Sequence, residues 1–416
     1  MPLNLHAPTR RELLASSGVL FAWPFLPKLA RAEGRDPRFL TIVLRGALDG
    51  LAVVAPVGDP DWVKLRGERA LTLDGKTAAL PLDSFFALNP AMPNLHRLYR
   101  NGEATLVHAT ATPYRERSHF DGQDVLESGL PNAGKADSGW LNRALGRLEP
   151  EARIGAAGRQ ALAVGPVTPL VIRGGSPVMS WTPQRIRPAT EDTVQRLLDL
   201  YHHTDPELGR VLEARLRLGE VARTGGLSAM NPTEGNPVPA GFPAQVRAYF
   251  ADAAGTAAKF LARPDGPRIG ALAFNGWDTH VDEGIESGRL ATLLGALDGA
   301  LAAVETAMGA AWRDTVVVLV TEFGRTARIN GTNGTDHGTA TVALLAGGAL
   351  KGGRVIADWP GLKNAALYEG RDLKPTIDLR SVLKGLLKDH LRIDDKALAS
   401  VFPDSGAAAP LAGLVA

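Results

Sequence analysis

Thr315-Val316-Val317-Val318-Leu319-Val320-Thr321 decides the fold. Every residue in it is apolar or β-branched, and apolar and polar positions do not alternate. A strand with one wet face alternates with period two; a strand covered on both faces need not. The run therefore predicts a strand inside a sheet that is flanked on both sides. Four other short runs read the same way: Phe39 to Leu44, Ala104 to Ala109, Arg268 to Phe274 and Thr341 to Ala346.

Helical patterns lie between these runs. Arg289 to Met308 carries Leu290, Leu293, Leu294, Leu297, Leu301 and Val304 at helical spacing. Val246 to Leu261 reads as a helix facing the core through Tyr249, Phe250, Ala253 and Phe260, and Asp378 to Leu391 as the last helix. Thr190 to His202 and Pro206 to Arg223 are also amphipathic, so Thr182 to Ala229 predicts a mostly helical insertion. Strands alternating with helices imply an α/β sandwich with a mainly parallel central sheet.

The N-terminus reads differently. Thr9-Arg10-Arg11 opens it, an apolar stretch runs from Leu13 to Leu26, and Lys28-Leu29-Ala30-Arg31-Ala32 offers small residues to a signal peptidase. That order predicts a twin-arginine export signal over residues 1–32, cleaved after Ala32, and a folded domain over 33–416. The expected location is periplasmic or secreted, with the twin-arginine translocase as a partner during export. The apolar stretch contains Ser16, Ser17, Gly18 and Pro24 and is too short for a stable membrane span; no later segment is expected to supply one.

Charges nearly balance, 46 basic against 44 acidic. A nucleic-acid partner would need a basic excess. The chain has no cysteine. Disulfides are thereby excluded, and any metal site must be built from Asp, Glu, His and hydroxyl groups.

In open α/β sheets, ligands bind at the carboxyl ends of strands. The first run leads to Arg45 and Asp49, a turn aspartate or a ligand. The second leads to Arg117-Ser118-His119-Phe120-Asp121. Ser118 is placed to cap a helix or to face an oxyanion there. The third ends in Trp277-Asp278-Thr279-His280, where Asp and His two apart can reach one ion or form an ordinary turn. The fourth ends in Thr321-Glu322-Phe323-Gly324-Arg325; Glu322 needs solvent, a metal or Arg325 as its partner. Gly334-Thr335-Asp336-His337-Gly338 precedes the fifth run, and its glycines predict a tight loop. Carboxylates and imidazoles from several strand ends suit Zn²⁺, Mn²⁺ or Mg²⁺. Two such ions with a hydroxyl nucleophile suit hydrolysis of phosphate or sulfate esters.

These segments, with Leu44-Arg45-Gly46-Ala47-Leu48-Asp49-Gly50 and Gly139-Trp140-Leu141, occur in an order that resembles an exported bacterial family. It is called domain of unknown function 1501 and is placed in the sulfatase-like branch of the alkaline phosphatase superfamily. The resemblance spans essentially the whole mature chain. It implies a three-layer α/β/α fold with a metal centre at the strand ends. Asp49 matches the superfamily's first-strand metal ligand, Ser118 its nucleophile, Asp278 and His280 its metal pair at shorter spacing, and His337 its late histidine. One departure matters: Glu322-Phe323 stands where the superfamily has Asp-His. Glu322 can still bind metal, but an imidazole is missing unless Asp336 or His119 replaces it.

Two functions follow as expectations. One is a metal-dependent hydrolase of a small anionic phosphate or sulfate ester. Asp49, His119, Asp278, His280, Glu322, Asp336 and His337 are its candidate ligands, Ser118 its nucleophile, and Arg117 or Arg45 its anion-binding residue. The other is a non-catalytic binding or assembly protein on the same scaffold, favoured by Glu322-Phe323.

Overall fold

The computed structural model describes residues 35–75, 77–134, 136–148, 161–182, 201, 205–210, 212–213 and 243–416. The expected export signal and most of the expected insertion Thr182–Ala229 lie outside the described residues. In chain order the strands are β1 (Arg38–Arg45), β2 (Val54–Ala55), β3 (Leu80–Pro81), β4 (Ala87–Leu88), β5 (Ala104–Ala111), β6 (Ala161–Val164), β7 (Val178–Trp181), β8 (Ile269–Asn275), β9 (Thr315–Val320), β10 (Thr341–Ala346), β11 (Arg354–Ile356) and β12 (Ile377–Asp378). The α-helices are α1 (Gly50–Val53), α2 (Trp62–Arg66), α3 (Pro93–Arg100), α4 (His119–Ser128), α5 (Trp140–Leu145), α6 (Pro243–Ala262), α7 (Arg289–Met308), α8 (Leu379–Asp389) and α9 (Asp395–Val401).

The main sheet runs β11-β5-β10-β9-β1-β8-β6-β7, with β12 also paired to β5. β2, β4 and β3 form a small antiparallel sheet. In the main sheet every pairing is parallel except those of β10, which runs against both β9 and β5. All five apolar runs are strands, and only the direction of the fifth departs from a parallel arrangement. The cause lies in the connection. A parallel return needs a crossover, usually helical, whereas Thr321–Ala340 contains no helix and brings the chain back antiparallel. Reversal carries the start of β10 to the edge where the parallel strands end.

The strands are apolar on both faces because both are covered. Leu40, Ile42, Leu272, Val317 and Leu319 join one core with Leu95 of α3, Phe250 of α6 and Leu290, Leu293 and Leu297 of α7. Phe39, Val43, Ile269, Val316 and Val318 join the other with Trp140 of α5, Leu383 of α8 and Val401 of α9. The result is a three-layer α/β/α sandwich. Burying each such side chain is worth about 1.5–3 kcal/mol.

One expectation needs correction. Arg289–Asp314 is, by length and composition, long and apolar enough to cross a membrane. Leu290, Leu294, Leu301 and Val304 of this segment are instead buried in the first core, so its apolar character is that of a core helix.

Candidate metal centre

The site lies above the strand ends. After β8 the chain turns through Trp277, whose indole donates to the Phe274 carbonyl at 3.1 Å. Gly46, after β1, has φ +120°, and a Cβ there would lie 2.5 Å from the Asp278 backbone nitrogen. Only glycine lets these two loops pack so closely. Gly334, ahead of β10, is held equally tightly: a Cβ would lie 2.2 Å from the His280 carbonyl oxygen. The loop bearing His337 is thus pressed against the loop bearing His280.

Three imidazoles and one carboxylate meet here. His119 opens α4, and its Nδ1 donates to Glu322 Oε1 at 2.8 Å. His337 Nδ1 donates to the Arg117 carbonyl at 2.9 Å, and His280 Nδ1 to Asp336 Oδ1 at 3.2 Å. With Nδ1 engaged, each ring presents Nε2. All three Nε2 atoms face Asp278: His119 lies 3.5 Å from Oδ2, while His280 and His337 lie 3.1 and 3.4 Å from Oδ1. Ligand atoms of His119, Asp278 and His337 all lie within 4.8 Å of one another. Phe323 stacks on the His119 ring at 5.1 Å between centroids and packs against His337 at 5.3 Å. Phe323 is therefore a wall of the site.

Charge is concentrated at this point. Burial disfavours the Asp278 anion, but His119, His337 and Arg325 outweigh it and hold the carboxyl well below its usual range. Burial also disfavours a charged His119; Asp278 and Glu322 reverse that and push its pKa up to about 9. Asn330 and His280, against partial burial, hold Asp336 below its usual value.

Apart from Ser118, the expected site residues fall into three groups. His119, Asp278, His280 and His337 converge. Glu322 and Asp336 stand one layer back. Glu322 is fully buried, with Oε1 accepting from Gly46 N, His119 and Gln123 and Oε2 from the Thr321 hydroxyl. It orients an imidazole through Oε1, and its Oε2 accepts from the Thr321 hydroxyl alone. Asp336 likewise accepts from His280 and from Asn330. Asp49, Arg45 and Arg117 do not converge. Asp49 is fully buried, caps α1 through the N–H groups of Leu51 and Ala52, and pairs with Arg66 at 2.6 Å. Arg45 is paired with Glu127, and Arg117 with Glu369 and Asp372. Each of the three side chains is thus engaged in an ion pair. Ser118 precedes His119 at the start of α4; its side chain does not cap the helix, and its N–H donates to the Tyr114 hydroxyl.

Two residues were not expected. Arg325 donates to Asp278 Oδ1 at 2.7 Å instead of neutralising Glu322. Glu283, fully buried, accepts from the Thr279 hydroxyl at 2.7 Å; burial and the nearby Asp49 push its carboxyl up to about 8 against Arg66 and Arg325. No pattern in Val281-Asp282-Glu283-Gly284 distinguishes this glutamate from a surface one.

A family model described as protein of unknown function (DUF1501) matches residues 99–402. The chain belongs to the DUF1501 family. Comparison of this DUF1501 chain with curated proteins gives no match. Several solved structures are similar to it. Ps i-CgsB, in complex with k-i-k-neocarrahexaose, is 11% identical with a TM-score of 0.40, covering 90% of this chain and 77% of that one. Phosphonate monoester hydrolase of Agrobacterium radiobacter is 13% identical with a TM-score of 0.30, over 77% of this chain and 70% of that one. Alkaline phosphatase from the Antarctic bacterium TAB5 is 11% identical with a TM-score of 0.33, over 77% and 94%.

Proposed function

We propose that this chain holds one divalent cation through His119, Asp278, His280 and His337 and hydrolyses a small phosphate or sulfate ester outside the cytoplasm. The carrying observation is that three imidazoles have Nδ1 tied to oxygen acceptors and Nε2 turned toward one carboxylate. His119 Nε2 is buried and has no hydrogen-bond partner, which fits an atom whose partner is an ion. Three imidazoles and a carboxylate suit Zn²⁺ better than Mg²⁺. The engagement of Asp49 and Glu322 elsewhere favours a single ion over a pair.

A bound Zn²⁺ supplies Lewis acidity to an ester oxygen and lowers the pKa of an adjacent hydroxyl. The chain supplies the rest. Ser118 Oγ bonds to phosphorus or sulfur as its hydroxyl proton goes to the departing alcohol oxygen of the ester, and water then adds to release the anion and restore the Ser118 hydroxyl. The first turn of α4 offers backbone N–H groups to the anionic oxygens. Arg289 is the candidate guanidinium. It is anchored on the Gly276 carbonyl at 2.9 Å, makes no ion pair among the described residues, and lies within electrostatic reach of Asp278.

The test is metal content together with turnover. Purified protein should carry zinc and cleave 4-nitrophenyl phosphate or sulfate; Ser118→Ala should abolish cleavage and keep the metal. A metal-free protein with no affinity for Zn²⁺ sinks the proposal. For export, Arg10→Lys with Arg11→Lys should hold the protein in the cytoplasm.

Ion binding without turnover is the second reading. It is favoured by Arg325, whose guanidinium already engages Asp278 Oδ1. If Ser118→Ala changes no measurable property while metal stays bound, this reading replaces the first.

A further inference from the structure

Glu283 makes no direct ion pair among the described residues, although Arg66 and Arg325 are close enough to favour its charge. A buried carboxyl group is costly unless its oxygens are met. Here both are met by threonine hydroxyls. Thr279 donates to Oε1 at 2.7 Å and Thr335 to Oε2 at 3.3 Å. Thr279 sits between Asp278 and His280. Thr335 is next to Asp336 and two residues from His337. The two loops also join through Thr335 N–H to the Thr279 carbonyl at 3.1 Å, and the backbone N–H of Glu283 reaches the Asn333 carbonyl at 3.0 Å.

The contacts continue to the ligand. The Thr335 hydroxyl accepts from Arg325 Nε at 3.2 Å, and the Thr335 carbonyl accepts from Arg325 Nη2. Arg325 Nη1 then donates to Asp278 Oδ1 at 2.7 Å. Glu283 thus reaches Asp278 twice: along the chain through Thr279, and through Thr335 and Arg325. With Oδ1 held by Arg325, Asp278 keeps Oδ2 toward His119.

We propose that Glu283 is a positioning residue for the metal centre, fixing the loop after β8 against the loop before β10 through Thr279 and Thr335 and keeping Arg325 on Asp278. The inference rests on the metal-site reading but not on turnover. Loss of Glu283 lets the two histidine-bearing loops separate and frees Asp278 to rotate. Both changes reach the ion without removing any ligand.

Co²⁺ is the probe, because its visible bands report coordination directly. Its affinity is measured by chelator competition for the wild type, Glu283→Leu, Glu283→Gln and Thr335→Val, with the melting temperature of each metal-free protein alongside. In Glu283→Leu and Thr335→Val, affinity should fall at least about tenfold, the size usual for an outer-layer partner, and the bands should shift. Glu283→Gln, which can still accept from one threonine and donate to the other, should recover most of the affinity. Metal-free Thr335→Val should melt near the wild type, which separates positioning from folding. If Glu283→Leu does not fold, Thr335→Val decides alone. Wild-type affinity and unshifted bands in Thr335→Val and in folded Glu283→Leu overturn the proposal, leaving Glu283 a core acid. A wild type that binds no Co²⁺ overturns both this inference and the metal-site reading. A wild type that binds Co²⁺ but cleaves no ester removes only the hydrolase reading.

Discussion

The Nε2 atoms of His280 and His337 lie 3.0 Å apart. Both rings engage an oxygen acceptor through Nδ1, which in a neutral ring leaves the lone pair on Nε2. Two lone pairs at that distance repel unless a proton or a cation lies between them. His337→Ala should therefore weaken Zn²⁺ binding by more than the roughly 10–100-fold expected of Glu322→Gln, which replaces the anionic acceptor of His119 by a neutral one. Calorimetry on chelator-stripped protein ranks the two; equal affinity in His337→Ala and the wild type would show that the ion lies elsewhere.

Metal binding should release a proton. His119, held at about 9 by Asp278 and Glu322 against burial, is protonated in the metal-free protein near neutrality. An ion must displace that proton, so affinity should rise about tenfold per pH unit as pH rises toward 9. Titrations in buffers of different ionisation enthalpy count the protons, and a count of zero contradicts the arrangement.

His108 predicts acid sensitivity unrelated to the metal. Its ring is fully buried, with Nε2 donating to the Val54 carbonyl and Nδ1 accepting from Ala109 N–H. Burial, only partly opposed by Val54 and Asp49, lowers its pKa from 6.5 to about 4. Above 6.5 the ring is neutral in both the folded and unfolded states. As pH falls from 6.5 toward 4, only the unfolded chain gains the proton, so stability is lost, by about 3 kcal/mol in all. His108→Gln should flatten that part of a urea-denaturation profile against pH.

Asp49→Ala should cost stability and leave metal content alone. It strands the buried Arg66 guanidinium and removes the cap of α1, at a cost of about 3–5 kcal/mol. Denaturation midpoint and zinc content, measured on one preparation, separate this from a ligand role, in which metal loss would come first.

Arg289→Ala should raise KM for an anionic ester and weaken inhibition by inorganic phosphate, while zinc content holds. An unchanged KM would remove Arg289 from the site.

The sheet was legible because burial on both faces leaves a direct mark: Val316 to Val320 has no polar residue to turn outward. The same logic missed β11 and β12, whose residues are only partly buried and so carry little pattern. In the site, the tight loop around Asp336-His337 was legible because Gly334 and Gly338 mark close backbone contacts. The partners of the remaining charges were not. Nothing near Asp49 in the sequence announces Arg66, which α2 brings to it, and nothing near Arg117 announces Glu369 and Asp372 from the far end of the chain. Charge pairing over such separations is a property of the folded chain.

The strand order has one more consequence. β5, which leads to His119, and β8, which leads to Asp278, are separated by β10, β9 and β1. That is four strand spacings, about 19 Å. The two loops must arch inward from opposite abutments to meet, while the central strands lay the floor beneath with Gly46 and Glu322. An ion at the crown would be the keystone, bracing the sheet across its width as well as serving any chemistry.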